Sequence, residues 1–303
     1  MKIFVTGVCG QLGHDVMLEA KKRGYEAIGS DIHPAYLGMA ETAAPQMPYV
    51  SLDITDANAV FETLKEIKPD VIVHCAAWTA VDAAEETENK EKVFAINVKG
   101  TENIAKAAQE LDCKMVYIST DYVFSGKGET PWLADCKEYE PLSVYGESKL
   151  RGELEVANML KKFFIVRTAW VFGLNGKNFI KTMLTVGKKF DTVRVVCDQI
   201  GTPTYTLDLS RLLVDMCESE KYGYYHATNE GGFISWYDFT CEIFRQAGYD
   251  TKVVPVTTEE YGVSKAARPF NSRLDKSKLS ENGFEPLPTW QDALSRYLKE
   301  IEN

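Results

Sequence analysis

Short apolar runs alternate with helical patterns through the first half of the chain. The apolar runs predict strands at 2–6, 26–30, 49–52, 71–75, 114–119 and 163–168. Between them, apolar residues recur at the three- and four-residue spacing that is typical of amphipathic helices. Those segments predict helices at 11–23, 56–67, 89–111 and 144–160. Strands and helices that alternate in this order indicate βαβ crossovers and a parallel sheet.

The predicted strands are nearly continuous apolar runs, with few polar residues inside them. This pattern is typical of a sheet that helices cover on both faces, because neither face then meets water. The sequence therefore predicts an α/β fold, with a doubly wound, Rossmann-type parallel sheet in residues 1–170.

The pattern becomes less regular after residue 170. It still predicts helices at 178–188, 207–218, 236–247 and 291–301, and strands at 193–197, 222–226 and 253–256. Residues 258–288 are rich in proline, serine and charge. We expect 171–303 to form a smaller, partly discontinuous region that caps the strand ends, where open α/β sheets bind ligands. Parts of 193–230 are expected to extend the main sheet.

Composition narrows the classes of partner and compartment. Of the 303 residues, 45% are hydrophobic, which is enough to bury a substantial core, and the net charge is −10. Nucleic-acid binders are more often basic, because they neutralise phosphates, so we expect no nucleic-acid partner. No apolar run approaches the ~18 residues of a membrane span, and no secretory apolar segment follows Met1.

The cysteines and histidines indicate neither disulfides nor a metal site. The seven cysteines are scattered without a CxxC pair, and the four histidines do not cluster at the spacing of metal ligands. These features predict a cytoplasmic protein with reduced thiols and no structural metal.

A glycine-rich turn lies between the first predicted strand and the first predicted helix. Gly7, Gly10 and Gly13 have the spacing GxxGxxG. The first permits a tight turn, the second lets a pyrophosphate approach the backbone, and the third lets the helix pack closely on the strand. Together with Gln11 and Leu12, they predict a dinucleotide site at the helix N-terminus, so that 1–170 binds NAD(P). The alternative is an ordinary structural turn.

Acidic residues follow the second and third predicted strands. Asp31 is placed to accept hydrogen bonds from the adenosine ribose, and its carboxylate would repel a 2′-phosphate. No Lys or Arg occurs in 24–64, so we expect NADH to be favoured over NADPH. The alternative is that Asp31 is solvated and a distant arginine serves NADPH. Asp53 is expected to reach the adenine amino group, unless it caps the nearby helix. Further expected cofactor contacts are Ile54, Ala76 and Ala77.

A tyrosine and a lysine lie four residues apart at the start of a predicted helix. Tyr145 and Lys149 form a YxxxK motif, whose spacing places both side chains on one helical face. The ammonium is expected to lower the pKa of the phenol, so that Tyr145 protonates a carbonyl oxygen as hydride reaches its carbon. Lys149 can also bond the nicotinamide ribose. Thr120, at the end of the fifth strand, is expected to orient the carbonyl, with Ser119 or Tyr122 as alternatives.

Seven segments along nearly the whole chain resemble the dTDP-4-dehydrorhamnose reductase family of extended short-chain dehydrogenase/reductases. They are AAWTAVDAAE (76–85), STDYVFSG (119–126), PLSVYGESKLRGE (141–153), RTAWVFG (167–173), NFIKTML (178–184), DQIGTPT (198–204) and RPFNSRLD (268–275). The resemblance implies reduction of the 4-keto group of dTDP-4-dehydro-L-rhamnose to dTDP-L-rhamnose with NADPH or NADH. It implies that Thr120, Tyr145 and Lys149 are catalytic, and that 171–303 mainly binds substrate.

The resemblance also implies contacts with the sugar nucleotide from Thr79, Thr120, Asp121, Tyr122, Trp170, Arg268 and Arg273. Trp170 offers a flat apolar face to a sugar, unless it is a core residue. The two arginines are cations that can pair with the diphosphate, unless they form surface salt bridges. Thr79 and Asn97 join the implied cofactor site, although Asn97 could instead bond backbone groups.

Two other functions remain open. One is a related reductase that makes another epimer or reduces another dTDP- or UDP-sugar ketone, because sequence does not show which face of the ketone meets the nicotinamide. The other is a non-catalytic regulatory subunit of the same fold, which the presence of all three catalytic residues disfavours. The partner is expected to be a dTDP-sugar, and a homodimer is possible.

Overall fold

Seven parallel strands form the central sheet of the computed structural model, which describes residues 1–39, 42, 44–262 and 264–302. The strands of the described residues, inside and outside this sheet, are β1 (Lys2–Thr6), β2 (Glu26–Asp31), β3 (Tyr49–Ser51), β4 (Val71–His74), β5 (Lys114–Thr120), β6 (Phe163–Thr168), β7 (Val171–Phe172), β8 (Thr192–Val196), β9 (Ile200–Gly201), β10 (Thr204–Tyr205), β11 (Gly223–His226), β12 (Ile234–Ser235) and β13 (Lys252–Val256). The central sheet has the order β11-β6-β5-β4-β1-β2-β3. The order reverses at β1 and β4, which is the arrangement of a doubly wound sheet.

Helices connect these strands. They are α1 (Gln11–Lys22), α2 (Ala57–Ile67), α3 (Val81–Ala84), α4 (Thr87–Phe94), α5 (Thr101–Glu110), α6 (Val144–Met159), α7 (Phe179–Lys189), α8 (Thr206–Glu218), α9 (Trp236–Ala247), α10 (Thr258–Tyr261), α11 (Ser277–Glu281) and α12 (Trp290–Glu302). A π-helical turn, Ala95–Gly100, joins α4 to α5.

Both faces of the sheet are buried, as the continuous apolar runs predict. Ile3 and Val5 of β1 belong to a core shared with α1 and α8. Phe4, between them, belongs to a second core shared with α2, α5 and α6. Successive side chains of a strand point to opposite faces, so an uninterrupted apolar strand serves two helical layers. The predicted doubly wound α/β fold is therefore confirmed.

The helix expected over 89–111 is present, but it is not α-helical throughout. It is interrupted by the π-helical turn Ala95–Gly100, in which the Asn97 carbonyl accepts a hydrogen bond from the Thr101 hydroxyl at 2.8 Å. A Cβ on Gly100 would lie 2.6 Å from Cδ1 of Ile54, so the wider turn packs closely against the neighbouring loop. Apolar periodicity does not distinguish an α-helix from one that contains a π turn, and such turns are frequent at functional sites.

The C-terminal half contributes to two structural units. β11 joins the central sheet beside β6, whereas β8 pairs with β13 in a separate two-stranded sheet. A third core lies in this half and contains Phe172, Phe239 and Leu294. The expected boundary between domains at residue 170 stays a prediction. Across the described helices, none is long and apolar enough to cross a membrane.

A fully buried ion pair joins α6 to β6. Both nitrogens Nε and Nη2 of Arg167 donate to the two carboxylate oxygens of Glu153, at 2.8 and 2.7 Å, and neither side chain is exposed. The guanidinium also lies 4.9 Å from the ring centres of Phe124 and Tyr224. A buried guanidinium needs such a partner, because the loss of hydration is otherwise uncompensated. This pair therefore fixes the helix that carries Tyr145 against the sheet.

Removing one charge of this pair should destabilise the protein. We expect Glu153→Gln to lower the free energy of unfolding by about 3–5 kcal/mol, because it leaves the Arg167 guanidinium buried without its counter-ion. Denaturant unfolding measures the change. The matched control is Glu147→Gln on the same helix, whose ion pair with Arg151 is exposed and should contribute at most ~0.5 kcal/mol. Equal losses in the two variants would contradict this view of the buried pair.

Candidate active site

A cleft of about 690 Å³ opens at the carboxyl ends of the central strands. The parallel strands direct the residues that follow them toward one edge of the sheet, which is where open α/β sheets bind ligands. The cleft is lined by most residues that the sequence singled out: Gly7, Gly10, Gln11, Leu12, Gly13, Asp31, Asp53, Ile54, Ala76, Ala77, Thr79, Thr120, Asp121, Tyr122, Tyr145, Lys149 and Trp170. The fold thus brings the expected cofactor and catalytic groups into one cavity.

The glycine turn is packed too closely for side chains at two of its positions. Gly7 has φ +71°, and a Cβ there would lie 2.6 Å from the Ala76 nitrogen at the end of β4. A Cβ on Gly13 would lie 2.4 Å from the Gly7 carbonyl oxygen. Real Cβ atoms do not approach backbone atoms so closely. Glycine at these positions therefore lets β1, α1 and β4 meet at the cleft floor.

The N-terminus of α1 faces this cleft without a side-chain cap. Gly10 is the N-cap residue, and the first turn of the helix carries no acidic residue. The first backbone N–H groups of a helix have no partner within it, and the helix dipole is positive at that end. The turn can therefore accept a diphosphate group, and a nicotinamide dinucleotide fits the donors that are present.

The acidic residues at the strand ends have defined partners. Asp31 accepts hydrogen bonds from the Cys9 N–H at 3.1 Å and from the Ile32 N–H at 2.8 Å, which holds its carboxylate at the cleft edge. Asp53 accepts from the Thr55 N–H and hydroxyl at 2.9 and 2.7 Å. The N-cap of α2 is Asp56, so Asp53 stabilises the preceding turn and does not cap the helix.

The three expected catalytic side chains arise from two neighbouring elements. Thr120 ends β5, and its hydroxyl donates to Oδ1 of Asp121 at 3.0 Å. Tyr145 and Lys149 lie in the first two turns of α6. The Tyr145 ring packs edge-on against Tyr122 with 5.6 Å between ring centres. β5 and α6 pack directly on one another, so this proximity depends on the tertiary fold.

Burial controls the protonation of the tyrosine and the lysine. It raises the pKa of Tyr145 well above its ordinary value, although a hydrogen bond with Thr120 opposes the shift. Burial lowers the pKa of Lys149 to about 7, opposed by the charge of Glu153. The expectation that Lys149 lowers the pKa of Tyr145 is therefore wrong for the unliganded protein, because desolvation of the phenolate dominates. At neutral pH the phenol stays protonated, which is the form that an acid requires.

A buried carboxyl group lies beside the expected carbonyl site. Asp121 lines the cleft, and burial raises the pKa of its carboxyl to about 6, opposed by hydrogen bonds from Ser272 and Thr120. Such a group can exchange hydrogen bonds with sugar hydroxyls in either protonation state. A direct contact between Asp121 and the substrate, which the resemblance implies, stays a prediction.

One wall of the cleft is a tryptophan with a strained backbone. Trp170 has φ +51°, in the left-handed region that bulky residues rarely adopt. Its ring stacks on Trp236 with 3.7 Å between ring centres and 15° between planes. A Cβ on Gly201 would lie 3.0 Å from Cε2 of Trp170, so the indole is confined on this side as well. Trp170 is both packed and exposed to the cleft.

Asn97 does not line the cleft. Its Oδ1 accepts from the Trp78 N–H at 2.7 Å, and its Nδ2 donates to the Trp78 carbonyl at 3.1 Å and to the Ser148 hydroxyl at 2.9 Å. The side chain thus holds backbone and helix positions behind the site. A direct contact between Asn97 and the cofactor stays a prediction.

The two arginines also lie away from the cleft lining. Arg268 forms an ion pair with Asp82 at 2.8 Å, and Nη1 of Arg273 donates to Oδ1 of Asn271 at 3.0 Å. Pairing of either arginine with a diphosphate would require rearrangement of these contacts, and it stays a prediction.

The cleft residue that follows β7 was not identified from the sequence. Lys177 lines the cleft, although it lies 170 positions after Gly7. No spacing rule relates residues so far apart, and the only local hint was a short Asn-Gly-Lys-Asn run before α7. Other lining residues that were not singled out as contacts are Thr6, Cys9, Ser30, Ile32, His33, Leu52, Cys75, Val81, Ile96, Ile118, Thr168, Ala169 and Val171. Within the described ranges, no group of three or more His, Cys, Asp or Glu residues is placed to hold a metal ion.

Known proteins are similar to this chain in sequence and in architecture. The family model described as the RmlD substrate binding domain matches residues 1–303. The spore coat polysaccharide biosynthesis protein SpsK of Bacillus subtilis is 37% identical over 299 residues, which are 99% of this chain and 97% of SpsK.

Solved structures agree over the same length. A dTDP-4-dehydrorhamnose reductase from Clostridium acetobutylicum has a TM-score of 0.90 and 40% identity, with 100% of both chains covered. The dTDP-4-dehydrorhamnose reductase from Bacillus anthracis, in complex with NADP, has a TM-score of 0.88 and 38% identity, with 99% of both chains covered. The chain therefore belongs to the RmlD substrate binding domain family.

Proposed function

We propose that this protein reduces the 4-keto group of dTDP-4-dehydro-L-rhamnose to give dTDP-L-rhamnose, with NADH or NADPH as reductant. The observation that carries the proposal is a single cleft that contains both a glycine turn for a diphosphate and the trio Thr120, Tyr145 and Lys149. The names of similar proteins of full length support the same reaction.

The glycine turn, Asp31 and the strand-end residues would hold the dinucleotide along the cleft floor. A bound reduced nicotinamide supplies a hydride to the carbonyl carbon. Tyr145 donates its phenolic proton to the carbonyl oxygen, and Thr120 donates a hydrogen bond that orients the same oxygen. Lys149, one helical turn further on, stabilises the phenolate that remains, and solvent returns the proton once the product has left the cleft. Burial of these groups excludes competing water and strengthens their interactions with the developing charge.

The sugar ring would lie between the catalytic trio and the wall formed by Trp170. A flat indole packs well on the apolar face and methyl group of a deoxy sugar, and Asp121 and Tyr122 can bond its hydroxyls. Thr79, which follows β4 and lines the cleft, is proposed to contact both ligands. A homodimer stays a prediction.

The second candidate is a reductase that makes another epimer or reduces another nucleotide-linked keto-sugar, since SpsK carries no substrate in its name. A reductase that makes the other epimer would deliver hydride to the opposite face of the ketone. An assay of NADH and NADPH oxidation with dTDP-4-dehydrorhamnose, made in situ by an epimerase, tests the proposal. NMR of the product should show the C4 configuration of L-rhamnose. Absence of coenzyme oxidation would refute the proposed substrate, and the opposite C4 configuration would favour the second candidate.

Replacing the proposed acid should slow catalysis without weakening cofactor binding. We expect Tyr145→Phe to lower kcat by about 10²–10⁴-fold, because the variant keeps the ring but loses the proton. Steady-state kinetics with saturating NADH measures the loss, and fluorescence titration measures the Kd of NADH. The matched control is Tyr122→Phe, which removes a phenol from the same aromatic pair. A larger loss of kcat in the control would transfer the acid role away from Tyr145.

The buried lysine should make stability depend on pH. The ordinary lysine pKa of ~10.4 applies to the unfolded chain, whereas that of Lys149 in the folded protein is about 7. Between these values the unfolded chain binds more protons, so the stability of the wild type should rise with pH. We expect its free energy of unfolding, relative to Lys149→Met, to increase from pH 7.5 to 9.5 by up to about 1.4 kcal/mol per pH unit. Denaturant unfolding at several pH values without cofactor measures this slope, and parallel curves for the two proteins would contradict it.

The carboxylate at the end of β2 should set the choice of coenzyme. We expect the wild type to have a higher kcat/KM for NADH than for NADPH, because the Asp31 carboxylate, which we propose contacts the adenosine ribose, would repel a 2′-phosphate. Asp31→Ser keeps an acceptor for the Cys9 N–H and should shift the NADPH/NADH ratio of kcat/KM upward by about tenfold. Equal kcat/KM values for both coenzymes in the wild type would show that another group determines the preference.

A further inference from the structure

A loop from the C-terminal half, residues 173–178, is hydrogen-bonded to the glycine turn and the first turn of α1. The Gly173 N–H donates to Oε1 of Gln11 at 2.8 Å, and Nδ2 of Asn178 donates to the same oxygen at 3.1 Å. Nδ2 of Asn178 also donates to the Tyr297 hydroxyl at 2.9 Å. The loop is therefore held between the first turn of α1 and the C-terminal helix α12.

A second anchor attaches the middle of this loop to the backbone of the turn. Nδ2 of Asn175 donates to the Cys9 carbonyl at 2.9 Å and to the Gly10 carbonyl at 3.1 Å. Asn175 is buried, so these bonds are shielded from water. The two residues that follow it consequently lie beside the part of the cleft where α1 begins.

Lys177 lies between these anchors, and its side chain lines the cleft. Among the described residues, its ammonium has no hydrogen bond or ion pair, whereas the nearby Lys181 donates to the Leu174 and Gly176 carbonyls. Lys149 is the one other lysine or arginine among the described residues that line the cleft, and it lies at the catalytic end. Among the described residues that line the cleft, Lys177 is thus the cation without a hydrogen-bond partner that lies next to the glycine turn.

The charge of the cleft explains why a cation is needed there. Asp31, Asp53 and Asp121 line the same cavity, and the whole chain carries a net charge of −10. A diphosphate brings about two further negative charges. The N-terminus of α1 contributes only about half a positive charge, which does not balance the carboxylates and the ligand together.

We propose that Lys177 binds the diphosphate of the nicotinamide coenzyme and closes the phosphate site from the C-terminal half. This inference rests on the dinucleotide binding in the proposed function. It adds a residue from the C-terminal half to those that contact the diphosphate of the coenzyme.

Direct binding measurements test the role of Lys177 without turnover. NADH, NADPH, ADP-ribose and adenosine are titrated by calorimetry into the wild type, Lys177→Gln, Lys177→Arg and Lys188→Gln at low salt. We expect Lys177→Gln to raise the Kd of the three diphosphate ligands by about tenfold and by similar factors, and to leave adenosine unchanged. Lys177→Arg keeps the charge and should restore most of the affinity. Lys188, exposed at the other end of α7, is the matched control and should have no effect.

Each other outcome overturns the assignment. Unchanged Kd values in Lys177→Gln would remove the lysine from the site. A loss confined to NADPH would assign it to the 2′-phosphate. A separate steady-state assay of the same variants, in which only the KM for the dTDP-sugar rises, would assign it to the substrate's diphosphate. If the wild type binds no dinucleotide, the proposed function is refuted. If the wild type binds and Lys177→Gln binds equally well, only the role of Lys177 is refuted. Higher salt should reduce the difference between variants, because it screens an exposed charge.

Discussion

The close contact between the β1–α1 turn and the end of β4 is the constraint on which the site depends. The Ala76 N–H donates to the Thr6 hydroxyl at 3.1 Å, while Gly7 approaches the same backbone so closely that no side chain fits. Gly13 then lets α1 pack on the turn. This contact aims the N-terminus of α1 into the cleft and clears the floor along which a dinucleotide would lie.

Burial decides the chemistry of the catalytic end. The protein interior disfavours charge on both Tyr145 and Lys149, so the phenol is held protonated and the lysine titrates near neutrality. A bound sugar nucleotide and coenzyme would change this balance, because their phosphates favour the ammonium. The pair Arg167–Glu153 lies just behind, and it combines a structural role for α6 with an electrostatic effect on Lys149.

Residues of the C-terminal half form one side of the cleft, and the N-terminal sheet forms its floor. Trp170 is held in a strained conformation by its stack on Trp236, which is the kind of strain that surrounding structure must maintain. Gln11, in the first turn of α1, accepts two hydrogen bonds from the 173–178 loop. The Trp170 wall and the glycine turn are therefore parts of one hydrogen-bonded and packed assembly.

The sequence by itself determined the class of fold, the glycine turn and the YxxxK pair. The fold class follows from local apolar periodicity, and the turn and the pair follow from fixed residue spacing. Strand and helix patterns at short range reflect burial directly, so most elements were predicted within a few residues. The π turn at Ala95–Gly100 was not, because apolar spacing does not record how many residues close a helical turn. Only the tertiary structure decided that Lys177 lines the cleft, that Arg268 pairs with Asp82, and that burial raises the pKa of Tyr145. These outcomes depend on distances between residues far apart in the chain and on solvent exclusion, and neither quantity is encoded in any single segment.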